Sequence, residues 1–324
     1  DGRIHQEWLD RAAPAGRLAG QQAAGEARLQ RLDAEMGKMR IARDLPRRQG
    51  EEEAESPWIA QPQPPARCEM EGHVLVGLER GPQEGTPLVH DGVLYYANPH
   101  DVIQAFDART GDLIWEHRRR EPPADIEKYI NAPFINRNIA IHGHLIIDTS
   151  ADGYLYALDA RTGKEVWNTL VLDYKTAVHQ TSGPIVADGK VFSGRGCDPP
   201  PNANPDACVI TAHDAETGRE LWRTRTIPGP GERGNETWGD IPFGERKHVG
   251  AWMPPSYDPE LKLLFIGTSV TSPAPKFLMS GNDKKYLYHN CTLALDPLTG
   301  RIVWYYQHVV DHWDLDHTFE RILL

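Results

Sequence analysis

One pattern constrains this chain more than any other. Ala-x-Asp-x-x-Thr-Gly-x-x-x-Trp occurs four times, from Ala105 to Trp115, Ala157 to Trp167, Ala212 to Trp222 and Ala294 to Trp304. Repetition of this kind marks stacked supersecondary units that share one continuous core. The tryptophans stand 52, 55 and 82 residues apart, which leaves room for a four-stranded blade per repeat and one long insertion before the last. The motif has a physical logic. Asp accepts backbone amides in a tight turn, Gly tolerates positive φ, and the following strand carries an indole to the space between neighbouring blades. Short β-type runs lie around the motifs, at Val93–Ala97, Leu145–Ile147, Lys190–Phe192 and Leu263–Ile266, each bounded by Gly, Asp or Pro. The expected fold class is all-β, a β-propeller of about four blades over residues 76–324.

Residues 1–75 differ in texture. Leu29, Leu32, Met36 and Met39 recur at helical spacing and predict an amphipathic helix over 17–45 that ends before Pro46. The charged, proline-rich stretches Gln49–Pro57 and Gln61–Pro65 then predict an unstructured linker. This helical and Pro/Glu-rich extension receives no chemistry. The first residues, Asp1 to His5, do not read as a signal peptide, and no run approaches the roughly 18 apolar residues of a membrane span.

Charge narrows the partners. With 35 basic and 46 acidic residues the formal charge is −11, which repels a phosphate backbone, so nucleic acid is not expected as a partner. Arg118–Arg120 and Arg47-Arg48 are short, lie near acids and read as solvated surface. Four cysteines without C-x-x-C spacing make neither a zinc site nor a disulfide framework. Cys197 and Cys208 bracket the polar loop Asp198–Ala207 and either staple it, as an oxidising compartment would allow, or remain two thiols.

The four tryptophan motifs, followed at once by His308-Val-Val-Asp-His-Trp-Asp-Leu-Asp-His317, resemble the pyrroloquinoline quinone (PQQ) propellers of the quinoprotein alcohol dehydrogenases. That resemblance implies an eight-bladed propeller around a cofactor near the central axis. Four motifs account for half of it, so the rest is expected from a longer parent, a second copy or another chain. Residue by residue, Glu84 before the first blade strand matches a contact to the quinone carboxylates and amine region. Arg137 in Asn136-Arg-Asn138 matches a cofactor-binding arginine, Thr149 a hydroxyl contact, and Trp252 the indole stacked on one face of the quinone. Asn131-Ala132 stands where relatives carry two adjacent cysteines.

Asp314 matches the catalytic aspartate, a general base for the alcohol proton beside a metal-polarised quinone. Asp316, two residues on, faces the same side of an extended segment, where a hard cation gathers both carboxylates. The Asp-x-Asp pair resembles the signature of lanthanide use in the family, while single-aspartate relatives use calcium. Asp198 is a shorter substitute for the family's glutamate ligand. Val270 replaces its asparagine, leaving the hydroxyls of Thr268 or Thr271 as stand-ins. A rival metal reading uses His308, His312 and His317. The resemblance implies oxidation of an alcohol to an aldehyde or ketone in the periplasm. Because the sequence holds no C-x-x-C-H haem motif, a separate acceptor such as a cytochrome c is expected. The alternatives are a non-catalytic scaffold, like the blade-repeat lipoprotein of outer-membrane assembly, and an inert fragment of a dehydrogenase.

Overall fold

A computed structural model describes residues 84–120, 122–130, 134–176, 178–197, 204–272, 278–279, 284–309 and 316–323. The chain divides into two units, residues 1–70 and 71–324, and every described residue belongs to the second. The predicted helix and linker therefore lie outside the described residues, as do Asn131, Ala132, Asp198, His312 and Asp314.

Each motif sits in a four-stranded antiparallel sheet, so the repeat is a blade. The first is β1 (Leu88–His90), β2 (Val93–Asn98), β3 (Val102–Asp107) and β4 (Leu113–Arg118). The second is β5 (Ala140–His142), β6 (Leu145–Thr149), β7 (Tyr154–Asp159) and β8 (Glu165–Leu170). After the short β9 (Val178–His179), the third comprises β10 (Ile185–Ala187), β11 (Lys190–Ser193), β13 (Val209–Asp214) and β14 (Glu220–Arg225), with β12 (Gly196–Cys197) leaving it to pair with β9. The fourth is β15 (Ser256–Asp258), β16 (Leu263–Gly267), β17 (Cys291–Leu295) and β18 (Ile302–Gln307). Strand order follows chain order within every blade.

The structure explains every letter of the motif. In all four blades the motif Ala pairs directly with the motif Trp, and the register slips immediately after that Ala. A small residue opposite the indole lets the ring lie against the sheet, and the bulge turns the strand into its hairpin. The carboxylate of Asp107, like those of Asp159, Asp214 and Asp296, accepts backbone amides of its own turn.

Glycine does more than the turn requires. A Cβ on Gly163 would stand 2.6 Å from the Trp115 ring, one on Gly218 2.5 Å from Trp167, and one on Gly300 2.5 Å from Trp222. Each indole therefore lies on the Thr-Gly turn of the next blade. Trp115 Nε1 donates to Ala160 O (2.9 Å) and Trp222 Nε1 to Pro297 O (3.0 Å), tying consecutive blades together. Two residues after each tryptophan, His117, Thr169 and Thr224 contact the carbonyls of the same three glycines. At about 25 cal/mol per Å², each buried ring contributes up to about 4–6 kcal/mol.

The cores lie between the blades. Tyr95, Ile103 and Trp115 pack with Ile146, Tyr156 and Leu158 between the first two. Leu145, Ile147 and Leu155 meet Val191 and Ala215 between the second and third. Phe192, Ile210 and Trp222 meet Leu264, Leu293 and Leu295 between the third and fourth. The long insertion expected before the last tryptophan is split between two connections, β14 to β15 and β16 to β17. These two pack on each other through Trp238 and Tyr286. Cys197 and Cys208 are bonded, and both pack in that same cluster, while Cys291 is a free, buried thiol.

Arg119 departs from the solvated reading. Its side chain is 7% exposed, lies over the rings of Tyr154 and Tyr156, and pairs with Asp152 and Glu165. Buried acid on the next blade draws it inward. Among the described residues no helix is long and apolar enough to cross a membrane.

Candidate functional site

The first strands of the blades set the site. Glu84 lies four residues before β1, Arg137 three before β5 and Trp252 four before β15, so equivalent connections bring them to one end of the blades. The corresponding position of the third blade, four before β10, is Thr181. No motif marks it in the sequence; only the repeat register, counted back from each first strand, could have found it.

These positions meet. Arg137 Nε pairs with Glu84 Oε2 at 2.8 Å, and its Nη1 donates to Thr181 O at 3.2 Å. Its guanidinium carbon lies 4.8 Å from the centre of the Trp252 ring, a cation held over an aromatic face. Partial burial draws the guanidinium below its ordinary value while Glu84 and Glu320 push it back up, and it stays charged at neutral pH. Among the described residues Nη2 meets no acceptor.

Trp252 continues the chain of contacts. Its Nε1 donates to Asp316 Oδ2 at 2.7 Å, and the Val270 amide donates to Asp316 Oδ1 at 2.8 Å. Phe319 meets the indole edge-on. The structure thus brings together Glu84, Arg137, Trp252 and Asp316, which are scattered over most of the sequence. Thr149 stands one layer back, buried, with its hydroxyl donated to Gln180 O at 2.8 Å, beside Thr181. Thr268 and Thr271 donate to the carbonyls of Tyr288 and Lys247 inside the fold, so as metal donors they offer only lone pairs.

Asp198 and Asp314 lie outside the described residues. Among the described residues no group of three or more His, Cys, Asp or Glu side chains is placed to hold a metal ion. His308 and His317 stack face to face at 4.5 Å, and His308 Nε2 contacts Thr292 Oγ1 at 2.7 Å.

Behind Arg137 lies a buried acidic cluster that sequence reading passed over. Asp148 Oδ2 accepts from Asn136 Nδ2 (2.6 Å) and the Tyr156 hydroxyl (3.0 Å), and Oδ1 from the Thr149 amide (2.7 Å). The Asn136 bond anchors the segment that carries Arg137. Burial pushes Asp148 up to about 7 against those three bonds, and burial together with the Asp148 charge pushes Asp101 up to about 8.

Both groups bind protons more tightly folded than unfolded. Their contribution to stability is therefore complete below the unfolded carboxylate pKa and is lost as pH rises through about 7 to 8. The melting temperature is expected to fall between pH 5 and pH 9, and Asp148→Asn to flatten that fall in a thermal series. An unchanged slope in the variant would contradict the assignment.

Residues 77–324 match the family described as glucose/ethanol/alcohol dehydrogenase, beta-propeller domain, a PQQ family. The chain belongs to this PQQ propeller family. Quinohemoprotein alcohol dehydrogenase ADH-IIG of Pseudomonas putida is 35% identical over 266 residues, 76% of this chain and 35% of that protein. The crystal structure of the quinohemoprotein alcohol dehydrogenase of Comamonas testosteroni superposes with a TM-score of 0.63 at 31% identity, covering 74% of this chain and 37% of the other. A europium-containing methanol dehydrogenase, 24% identical with a TM-score of 0.61 over 74% of this chain and 44% of its own, shares the fold. The chain spans about a third of the length of the curated relatives it matches. Its four blades are those of an all-β propeller of the quinoprotein type.

Proposed function

We propose that this site binds PQQ and that the protein oxidises a primary or secondary alcohol to an aldehyde or ketone, with Asp314 as general base. The observation that carries the reading is the contact between Arg137 and Trp252. A guanidinium above a flat indole offers a planar, negatively charged ring system both of the things it needs. Trp252 would give such a ring its stacking face, and Arg137 would turn Nη2 to one of its carboxylates. Glu84 fixes Arg137 from the solvent side. Thr149 holds the Gln180–Thr181 segment to which Arg137 is also tied.

When bound, the quinone accepts the two electrons of the alcohol. Asp314 takes the hydroxyl proton at its carboxylate oxygen, and Asp316 orients Trp252 through the indole bond. For the metal, a hard cation such as Ca2+ or a lanthanide suits carboxylates at Asp198, Asp314 and Asp316. Each Asp316 oxygen accepts one N–H and retains a lone pair for such an ion. Electrons pass to a separate acceptor, a cytochrome c in this reading, and the Cys197–Cys208 bond suits a periplasmic setting. Nothing in the site chooses among alcohols.

The test is direct. Incubated with PQQ and calcium or lanthanum chloride, the chain should retain the quinone through gel filtration and lose tryptophan fluorescence. Arg137→Ala should weaken binding about 10- to 100-fold, the loss of a charge-assisted hydrogen bond. Absence of retention, or an Arg137→Ala variant that binds as tightly as wild type, overturns the proposal.

A further inference from the structure

Arg195 is the second-largest fully buried side chain and has no carboxylate partner among the described residues. Its Nε donates to Gln180 Oε1 (2.9 Å), Nη1 to Thr211 Oγ1 (2.8 Å) and Ser193 O (3.3 Å), and Nη2 to Ser193 Oγ (3.1 Å). Every acceptor is neutral. His213, next along β13 from the Thr211–Ala212 pair, is held uncharged by burial and then by Arg195 itself, its pKa pushed down to about 3. Glu220, among the described residues the acid whose charge bears on Arg195, is committed at 2.6 Å to Arg223. Removing a guanidinium from water without a counter-charge is among the costlier things a fold can do. Among the described residues, hydrogen bonds satisfy its donors without balancing its charge.

The position of that charge suggests its use. Through Gln180 it braces the segment whose neighbour, Thr181, receives Arg137; through its own carbonyl it accepts the amide of Ala251, the neighbour of Trp252 (2.7 Å). Gly194, just before it, packs so closely on Ala251 that a Cβ would stand 2.1 Å from the Ala251 carbonyl oxygen. Arg195 therefore stands directly behind the two segments that present the site.

We infer that Arg195 is a fixed positive charge that selects an anionic ligand for the Arg137–Trp252 site without touching it. This rests on the quinone-binding reading above and adds the property that the site recognises: the ligand's negative charge as well as its flat ring. A buried charge whose partners among the described residues are all neutral is weakly screened, so its field reaches the site where a surface arginine's would not.

The experiment compares PQQ with its trimethyl ester, the same ring without its carboxylate charges, by fluorescence titration. Arg195→Gln is expected to weaken PQQ binding about tenfold and ester binding by less than about twofold, whereas Arg195→Lys retains the wild-type preference. Thr211→Asp, which keeps Arg195 and sets a carboxylate beside it, should reproduce Arg195→Gln and serves if that variant does not fold. A folded Arg195→Gln or Thr211→Asp variant with unchanged PQQ affinity overturns the inference, and so does equal weakening for both ligands. A wild-type chain that binds no PQQ overturns the functional reading and the inference together.

Discussion

Asp314→Asn should lower alcohol-dependent dye reduction by the PQQ- and metal-loaded protein by about 10²- to 10⁴-fold, the range that a general base contributes. Cofactor retention should change little, because the amide keeps an oxygen at the same place. Asp316 is anchored by the indole of Trp252 and the amide of Val270, next to the Arg137–Trp252 contact. Asp316→Ala should act differently, by releasing Trp252, and so should weaken quinone binding as well as turnover. Equal rates for wild type and Asp314→Asn would remove Asp314 as the base.

Of the four motif glycines, Gly300 and Gly218 should be the most damaging to replace by alanine. At Gly300, φ is +72° and the new Cβ would stand 2.5 Å from Trp222 and 2.6 Å from Thr224 Oγ1. Left-handed strain of about 1–2 kcal/mol and overpacking of about 1–3 kcal/mol act together. The protein contains its own control. Gly111 has the same motif position and φ of +79°, but nothing lies within 4 Å of its Cβ. Gly111→Ala should carry the backbone strain alone, so thermal melts should separate the two variants by about 2–4 °C for each kcal/mol of difference. Identical melting temperatures would contradict the account of blade docking.

The fold was legible because its rule is local and repeated. Ala, Asp, Thr-Gly and Trp each have a task within one hairpin or against the next blade, so eleven residues carry a whole unit. What the motif could not convey is direction: the indole lies on the next blade's Thr-Gly turn, far along the chain. The 82-residue spacing signalled an insertion but not its division between two connections that pack on one another.

The site was legible only in pieces. Glu84, Arg137, Trp252 and Asp316 were chosen one at a time, and the contacts among them arise because equivalent blade connections converge. Thr149 was chosen from its local match, yet its hydroxyl goes to Gln180 O, and the third blade's equivalent position falls to Thr181. Arg195 and Asp148 were invisible for a different reason. An arginine between glycines and an aspartate at a strand end read as ordinary polar residues until burial gives them a cost. The run Arg118–Arg120 erred in the same way, since Arg119 turns inward to Asp152.

A crystal structure of the protein with PQQ and calcium or lanthanum tests the proposed seat of the quinone at Arg137 and Trp252 most directly. It should show the quinone flat against the Trp252 ring, a carboxylate on the Arg137 guanidinium, and the ion beside Asp316. Quinone density elsewhere on the blades, or an Arg137–Trp252 contact still closed in the presence of saturating quinone, would contradict it.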